Sequence, residues 1–451
     1  MISLRPDRRL PAEFAAAMKR DWDWRARENA KWFINTFKLE QSDDEFYETG
    51  RRDFEGLILN DLSLLTGGGR DPRSLRLLEI GCGIGRMTRH LADLFGEIHA
   101  VDVSGEMIRL ARERLAASRH VRFYETSGFD FDFPDDHFDL IISAYVFQHV
   151  PDASVIGSNI RDAFRTLKPG GIFKFAANGI TDPDFLNVPK DTWAGAVFSE
   201  EDVRTLAREI GAQLLGVSGG GTQYCWSLVR KRMRAACAVH PQLPVIRKCE
   251  RVDEPGLPPR AGLSCLTLLL GGLNYEEVDS NNVTVELNER SVIPAYVGLV
   301  EGKTDSTGEG RIQINAQIPD DAPGGETSVR IRLSSGVASD SVTITLPPPQ
   351  LRIPTIHLIT NVVDGGVDVF AQGPKSRLRL FVHGLGNQVR SEEFSVQFNG
   401  LNLKPVNLVY LPNNAAWEIT VQLPADTMAG GNEVAVRIGS VISPCVRLTL
   451  K

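Results

Sequence analysis

The chain has 451 residues, room for two to four domains at ~100–200 residues each. Hydrophobic residues make up 42% and charged residues 24%, a balance that excludes a mainly disordered chain. Net charge is -7, from 50 basic and 57 acidic residues, which excludes the basic excess of a nucleic-acid binder. The longest nearly apolar run, 263–273, is about half the ~20 residues of a membrane helix. The opening MISLRPDRRL has no apolar stretch of the kind a signal peptide carries. Six cysteines are scattered without C-x-x-C or disulfide-framework spacing, so a reduced, cytoplasmic protein is the simplest expectation.

Residues 1–70 are expected to form a helical cover. A Trp-rich segment spans 21–37, and Phe54, Leu57, Ile58, Leu62 and Leu65 fit a helical stripe that Gly67 to Gly69 break. Over 71–234 strand and helix patterns alternate. Strands are predicted at 75–80, 97–103, 121–125, 138–143 and 171–176, and helices at 86–94, 105–117, 153–167 and up to 210. A strand pair follows across Gly219-Gly220-Gly221. Strands this apolar suit a sheet covered on both faces. Residues 235–261, rich in Pro and basic residues, read as a linker and as a solvated connector. Beyond it an internal repeat appears. LTLLLGGL from Leu266 parallels LRLFVHGL from Leu378, VTVELN parallels FSVQFN, and INAQIP parallels ITVQLP. Short alternating strands with Gly, Pro and Asp turns argue for a β-sandwich in each copy, over 262–347 and 351–451. The pattern resembles immunoglobulin-like IPT/TIG domains. Such domains position or bind something, and no chemistry is visible in them.

Chemistry concentrates in Leu78-Glu-Ile-Gly-Cys-Gly-Ile-Gly-Arg-Met-Thr88. A strand, then Gly81, Gly83 and Gly85 at alternate positions, then a helix, makes a turn whose backbone a ligand can approach closely. Asp102 lies 21 residues after Gly81 at the end of the next strand, where a carboxylate can accept both ribose hydroxyls. A dinucleotide site would look similar to this point. Discrimination comes from FDLIIS at 138–143 and LKPGG at 167–171. In this order and spacing the motifs resemble the class I S-adenosylmethionine-dependent methyltransferases over about residues 70–230.

That resemblance implies a Rossmann-like, seven-stranded, mostly parallel sheet ending in an antiparallel hairpin, with S-adenosylmethionine as cofactor. Gly81, Gly83 and Gly85 would underlie the methionine and ribose, with Glu79 supporting the turn and Asp102 taking the ribose. Val103 and Met107 would lie near adenine. Ser127, Gly128 and Phe129 would meet the adenine amino group, with Ser127 the short polar partner. Ala144 and Tyr145 would border the methyl group.

His149, just past the fourth strand, is the candidate general base, and a structural histidine before Pro151 is the bland alternative. Gln148, Trp193 and Tyr224 are candidate substrate contacts. Trp22, Trp24, Trp32 and Trp226 are further aromatics of this kind, against the usual reading as core packing. Cys82 is expected to be a small space-filler. No cluster with metal-ligand spacing is seen. The expected activity is methyl transfer to an O or N nucleophile of an unidentified acceptor, a small molecule or glycoconjugate, with a sugar as the suggested class. The sandwiches are expected to position the acceptor, bind a protein partner or self-associate. A non-catalytic cofactor-binding assembly protein and a nicotinamide-dependent oxidoreductase are the rivals. Residues 1–235 are expected to fold and bind cofactor alone.

Overall fold

The computed structural model describes all residues except 1–9, 37, 67–69, 181–189, 234–243, 253–264, 289, 305–309, 320–321, 323, 347–353, 363–365, 374–375, 384–393, 412–415 and 440. The N-terminal cover consists of α1 (Leu10–Ile34), α2 (Asp43–Leu57) and a short α3 (Leu62–Leu65). α1 is interrupted at Asn29, whose backbone is extended and whose side-chain oxygen accepts the Trp32 N–H at 3.1 Å, restarting the helix. Ser42 and Glu45 form a reciprocal capping box on α2.

The alternating segment folds as β1 (Arg76–Ile80), α4 (Thr88–Leu94), β2 (Glu97–Asp102), α5 (Gly105–Arg114), β3 (Val121–Glu125), β4 (Phe138–Ser143), α6 (Ala153–Thr166), β5 (Leu167–Ala177), α7 (Glu200–Glu209), β6 (Gln213–Ser218) and β7 (Cys225–Arg230). The strand order is β3-β2-β1-β4-β5-β7-β6. β1 to β5 run parallel, and β7 inserts antiparallel between β5 and β6. Every residue of β4 is buried, as a central strand with helices on both faces requires. Caps fix the helix starts: Ser104 on α5, Asp152 on α6, and a Ser199–Asp202 box on α7. The cover is tied to the sheet by a buried ion pair. Lys174 Nζ of β5 lies 2.6 Å from Asp61 Oδ2 and donates to Leu57 O at 2.7 Å.

The remainder of the described chain is all β. It comprises β8 (Val245–Val252), β9 (Cys265–Gly271), β10 (Val283–Leu287), β11 (Arg290–Val292), β12 (Tyr296–Thr304), β13 (Gly310–Gln317), β14 (Gly325–Leu333) and β15 (Val342–Leu346). A second set follows: β16 (Thr355–Asn361), β17 (Arg377–His383), β18 (Phe394–Phe398), β19 (Leu401–Leu403), β20 (Asn407–Leu411), β21 (Ala416–Gln422), β22 (Gly430–Ile438), β23 (Val441–Ile442) and β24 (Val446–Leu450). The repeat in the sequence reappears as repeated topology. β8-β9-β13-β12 matches β16-β17-β21-β20, and β10-β14-β15 matches β18-β22-β24. In each set the inward side chains of both sheets share one apolar core.

One expectation needs correction. The expected linker 235–261 contains β8, which pairs along its length with β9. Each β unit begins one strand before the letters of the repeat become recognisable. The first unit also joins the α/β sheet directly. Tyr296 of β12 pairs with Gly216 of β6, so a single 11-stranded sheet runs from the α/β part into the β part. A Cβ on Gly216 would stand 2.8 Å from Ala295 O, so the junction needs glycine there. The Tyr296 side chain is fully buried in the core cluster that holds Leu215 and Leu228. Gln213 Nε2 donates to Val278 O at 2.8 Å, Arg204 to Ser280 O at 3.0 Å, and Arg230 pairs with Glu276 at 2.8 Å. Among the described residues no helix is long and apolar enough to cross a membrane.

Candidate functional site

A cavity of about 860 Å³ opens at the carboxyl ends of β1, β2, β4 and β5, where open α/β sheets bind ligands. The turn after β1 forms its floor. Gly81 has φ +74°, and a Cβ there would stand 2.2 Å from Val146 Cγ2. Gly83 has φ +54° and would carry a Cβ into Ile34 of α1. Only glycine allows this turn to be covered so closely.

Two carboxyls bracket the turn. Asp102 Oδ2 accepts the Gly83 N–H and Oδ1 accepts the Ser104 N–H, both at 2.9 Å. Burial pushes its pKa up to about 6, against the pull of those N–H groups. Glu79 accepts the Thr88 hydroxyl at 2.6 Å, and burial raises it to about 7 despite the nearby Arg86 charge. Cys82 is buried and its thiol is pushed far up, so it stays a neutral space-filler. Val103, Met107 and Gly128 line the next part of the wall, with Met18 of α1 closing over them.

Tyr145 follows β4 with φ +62°, a strained position for a bulky residue. Its ring meets Tyr224 edge-on at 5.0 Å, and its hydroxyl donates to Asp53 at 3.2 Å. Asp53 in turn pairs with the buried Arg86 at 2.6 Å. His149 Nδ1–H donates to Trp193 O at 2.8 Å, which leaves Nε2 to accept from the Gln148 amide nitrogen at 3.2 Å. Burial, with the Arg25 charge adding, lowers His149 to about 4, so its imidazole is neutral at pH 7. The loop bearing Trp193 is held against α1 by Arg25, which donates to Thr192 O at 2.9 Å and stacks on Trp22 and Trp193.

The structure thus brings Glu79, Gly81, Gly83, Asp102, Val103, Met107, Gly128, Ala144, Tyr145, Gln148, His149, Trp193 and Tyr224 around one cavity. Five predicted residues do not line it: Trp24 is exposed, Trp226 packs against the core cluster that holds Leu215 and Leu228, and three others serve the fold. Gly85, at φ +87°, faces Leu115 and serves helix–sheet packing. Phe129 packs on the α/β core. Ser127 is exposed, and its hydroxyl closes a local turn by accepting the Phe129 and Asp130 N–H groups; Thr126 and Gly128 flank the cavity in its place. Asp53, Arg86 and Gln223 were not anticipated, since isolated polar residues in helices and loops carry no motif. Nor were Arg377, Arg379 and Glu418 of the last β unit, which also reach the cavity.

Residues 77–171 match the model of a methyltransferase domain. The span runs from β1 through the glycine turn and Asp102 to the start of β5. The chain aligns with Phosphoethanolamine N-methyltransferase 2 of Caenorhabditis elegans at 38% identity, over 21% of this chain and 22% of that protein. It aligns with Demethylmenaquinone methyltransferase of Tropheryma whipplei at 35% identity, over 21% of this chain and 38% of that protein. The match to 2-methyl-6-phytyl-1,4-hydroquinone methyltransferase of Synechocystis is 29% identical, over 30% of this chain and 41% of the other. The chain therefore spans well under half the length of these curated relatives. Among solved structures, a SAM-dependent methyltransferase from Aquifex aeolicus superposes with a TM-score of 0.31 and 17% identity, covering 42% of this chain and 98% of the other. Phosphoethanolamine N-methyltransferase 1 of Haemonchus contortus superposes with a TM-score of 0.34 and 16% identity, covering 50% and 51%.

S-adenosylmethionine is the cofactor this set of residues fits. The glycine turn lines the cavity, and Asp102 holds a carboxylate there at a fixed orientation. Met18, Val103 and Met107 supply an apolar slot of the kind an adenine ring needs.

Proposed function

We propose that the chain is an S-adenosylmethionine-dependent methyltransferase that moves a methyl group to an O or N nucleophile of a small polar acceptor. The carrying observation is Asp102, pinned by two backbone N–H groups beside a glycine turn and inside the methyltransferase-domain match. In this reading 71–234 is the cofactor-binding unit under the helical cover 1–70. The β units from β8 to β15 and from 351 to 451 are immunoglobulin-like sandwiches that position the acceptor.

Bound cofactor supplies an activated methyl on a sulfonium. The chain's part is to align. Asp102 takes the ribose hydroxyls, Glu79 steadies the turn under the methionine, and Tyr145 sets the edge of the methyl channel. Much of the rate can come from holding nucleophile, carbon and sulfur in line. His149, with a pKa of about 4, is a weak base at pH 7. Its fixed tautomer instead orients the Gln148 amide toward the acceptor side. The sugar or glycoconjugate expectation has no counterpart among the named relatives, whose names point to phosphoethanolamine and quinone precursors.

Calorimetric titration with S-adenosylhomocysteine should reveal one site per chain. Isotopically labelled S-adenosylmethionine should then pass its methyl to a small molecule of a native lysate. Absence of binding defeats the reading. Binding without transfer across a broad acceptor panel favours the cofactor-holding assembly protein.

A further inference from the structure

The far wall of the cavity belongs to the last β unit, where the sequence showed no chemistry. Along β17, Leu378, Leu380 and Val382 point into the unit's own core, while Arg377 and Arg379 face outward. β21 buries Ile419 and Val421 and turns Glu418 and Thr420 outward. β20 buries Leu408 and turns Asn407 outward. Period-two alternation across three paired strands thus builds one face, polar on β17 and β21 and mixed on β20, where Val409 joins Asn407, and that face closes the cavity. Across the gap lie Gln148, Gln223 and Tyr224. Burial, with the Glu418 charge adding, raises the Tyr224 hydroxyl, which places the two walls within electrostatic reach.

Three buried polar atoms on this cavity have no hydrogen-bond partner: Gln148 Oε1, Gln223 Oε1 and Arg379 Nε. Arg379 Nε lies 3.2 Å from Glu418 Oε1, close enough for an ion pair but not aligned as a hydrogen bond. Buried polar atoms are rarely left so, and these two acceptors and one donor belong to residues that line the cavity from two domains. At this end of the cavity the buried charges are paired. Arg86 is matched by Asp53 at 2.6 Å and Arg379 by Glu418, while Arg377 is exposed to solvent and donates to the neutral Gln422 at 2.9 Å. Planar hydrogen-bonding side chains beside the aromatic faces of Trp22, Trp32 and Tyr224 suit a ligand with many hydroxyls and apolar C–H faces.

We infer that the outward face of β17, β20 and β21 is the acceptor-recognition surface, and that the acceptor is an uncharged polyhydroxylated molecule held between this face and Gln148, Gln223 and Tyr224. The inference rests on the methyl-transfer reading. An acceptor hydroxyl oxygen forms the new bond to carbon, the carbon–sulfur bond breaks with its electron pair going to sulfur, and the hydroxyl proton leaves to solvent.

The test uses the full chain, labelled S-adenosylmethionine, and glucose, galactose, mannose and rhamnose as probes, with glucuronate and ethanolamine as charged probes. At least one neutral sugar should be labelled. Arg379→Ala and Arg379→Lys, the latter keeping the charge opposite Glu418, should each lower kcat/KM for it by about tenfold or more, chiefly through KM. Affinity for S-adenosylhomocysteine should stay within about twofold, because the cofactor end is untouched. Should both variants fail to fold, Gln223→Ala, on the opposite wall, decides by the same readout. Labelling confined to the charged probes, or no labelling by a chain that binds S-adenosylhomocysteine, overturns the inference. So does wild-type kcat/KM in the variants. Failure of the wild-type chain to bind S-adenosylhomocysteine defeats the methyl-transfer reading instead.

Discussion

Tyr145 holds φ +62°, which a bulky side chain adopts only when its surroundings impose it. The imposing contacts are the Asp53 hydrogen bond and the Tyr224 ring, both from distant parts of the chain. The same tension between burial and chemistry marks the two carboxyls. Folded Asp102 and Glu79 sit at about 6 and about 7, above their ordinary 3.8 and 4.5. The folded chain therefore binds protons that the unfolded chain would release in this range. Their stability contribution is present at low pH and is lost as pH rises through these windows. Glu79→Gln should accordingly raise the melting temperature of the unliganded chain near pH 8, by thermal-shift measurement, while weakening cofactor binding. In the proposed reading the ribose hydroxyls need the Asp102 carboxylate ionised. S-adenosylhomocysteine affinity should thus tighten as pH rises, and be about tenfold weaker one unit below the Asp102 pKa than well above it. Asp102→Ala should cost about a hundredfold in the same titration, since two charge-assisted hydrogen bonds go. An unaltered Kd would mean that the ribose is held elsewhere.

At the scale of elements, the loop before α7 and helix α1 act together. Arg25 is buried, donates to Thr192 through two nitrogens, and lies 4.6 Å over the Trp22 ring and 5.3 Å over Trp193. Trp193 O in turn fixes the His149 tautomer. Arg25→Ala removes a neighbouring positive charge and opens the cage to water, and both effects raise the His149 pKa. NMR titration should show it moving from about 4 toward the ordinary 6.5, with faster amide exchange across 190–196. A His149 titration unchanged in the variant would show that the cage is held by other contacts. The sequence marked Trp193 and His149 singly. Their pairing across 44 residues, and the clamp from residue 25, were invisible because no local pattern encodes them.

For the whole molecule, the junction between β6 and β12 decides what counts as a unit. The expectation that residues 1–235 fold alone treated the sheet as ending at β6. In the structure that edge continues into β12, and Tyr296 fills a gap beside Leu215 and Leu228. Tyr296→Ala should cost about 3–5 kcal/mol in denaturant unfolding, because the cavity it leaves lies inside the α/β core. The fragment 1–235 should be less stable than the full chain and prone to associate through its bare edge. A monomeric fragment as stable as the full chain would show the junction to be decorative. Cofactor affinity measured on full-length Tyr296→Ala separates damage to the core from damage to the site.

Local chemistry determined a great deal. The glycine turn, Asp102, the apolar β4 and the capping residues each act over a few neighbours, so their letters alone specify strand, turn and helix and the turn that floors the cavity. The repeat likewise announced two β units, since alternating burial has a period of two that survives divergence. Where those units dock was decided only in three dimensions. One extends the α/β sheet through a glycine–tyrosine contact, and the other turns the outward face of its homologous sheet onto the cavity. Two copies with one strand order took different places because docking depends on outward side chains. Those side chains answer to the partner surface and not to the fold of the unit that carries them.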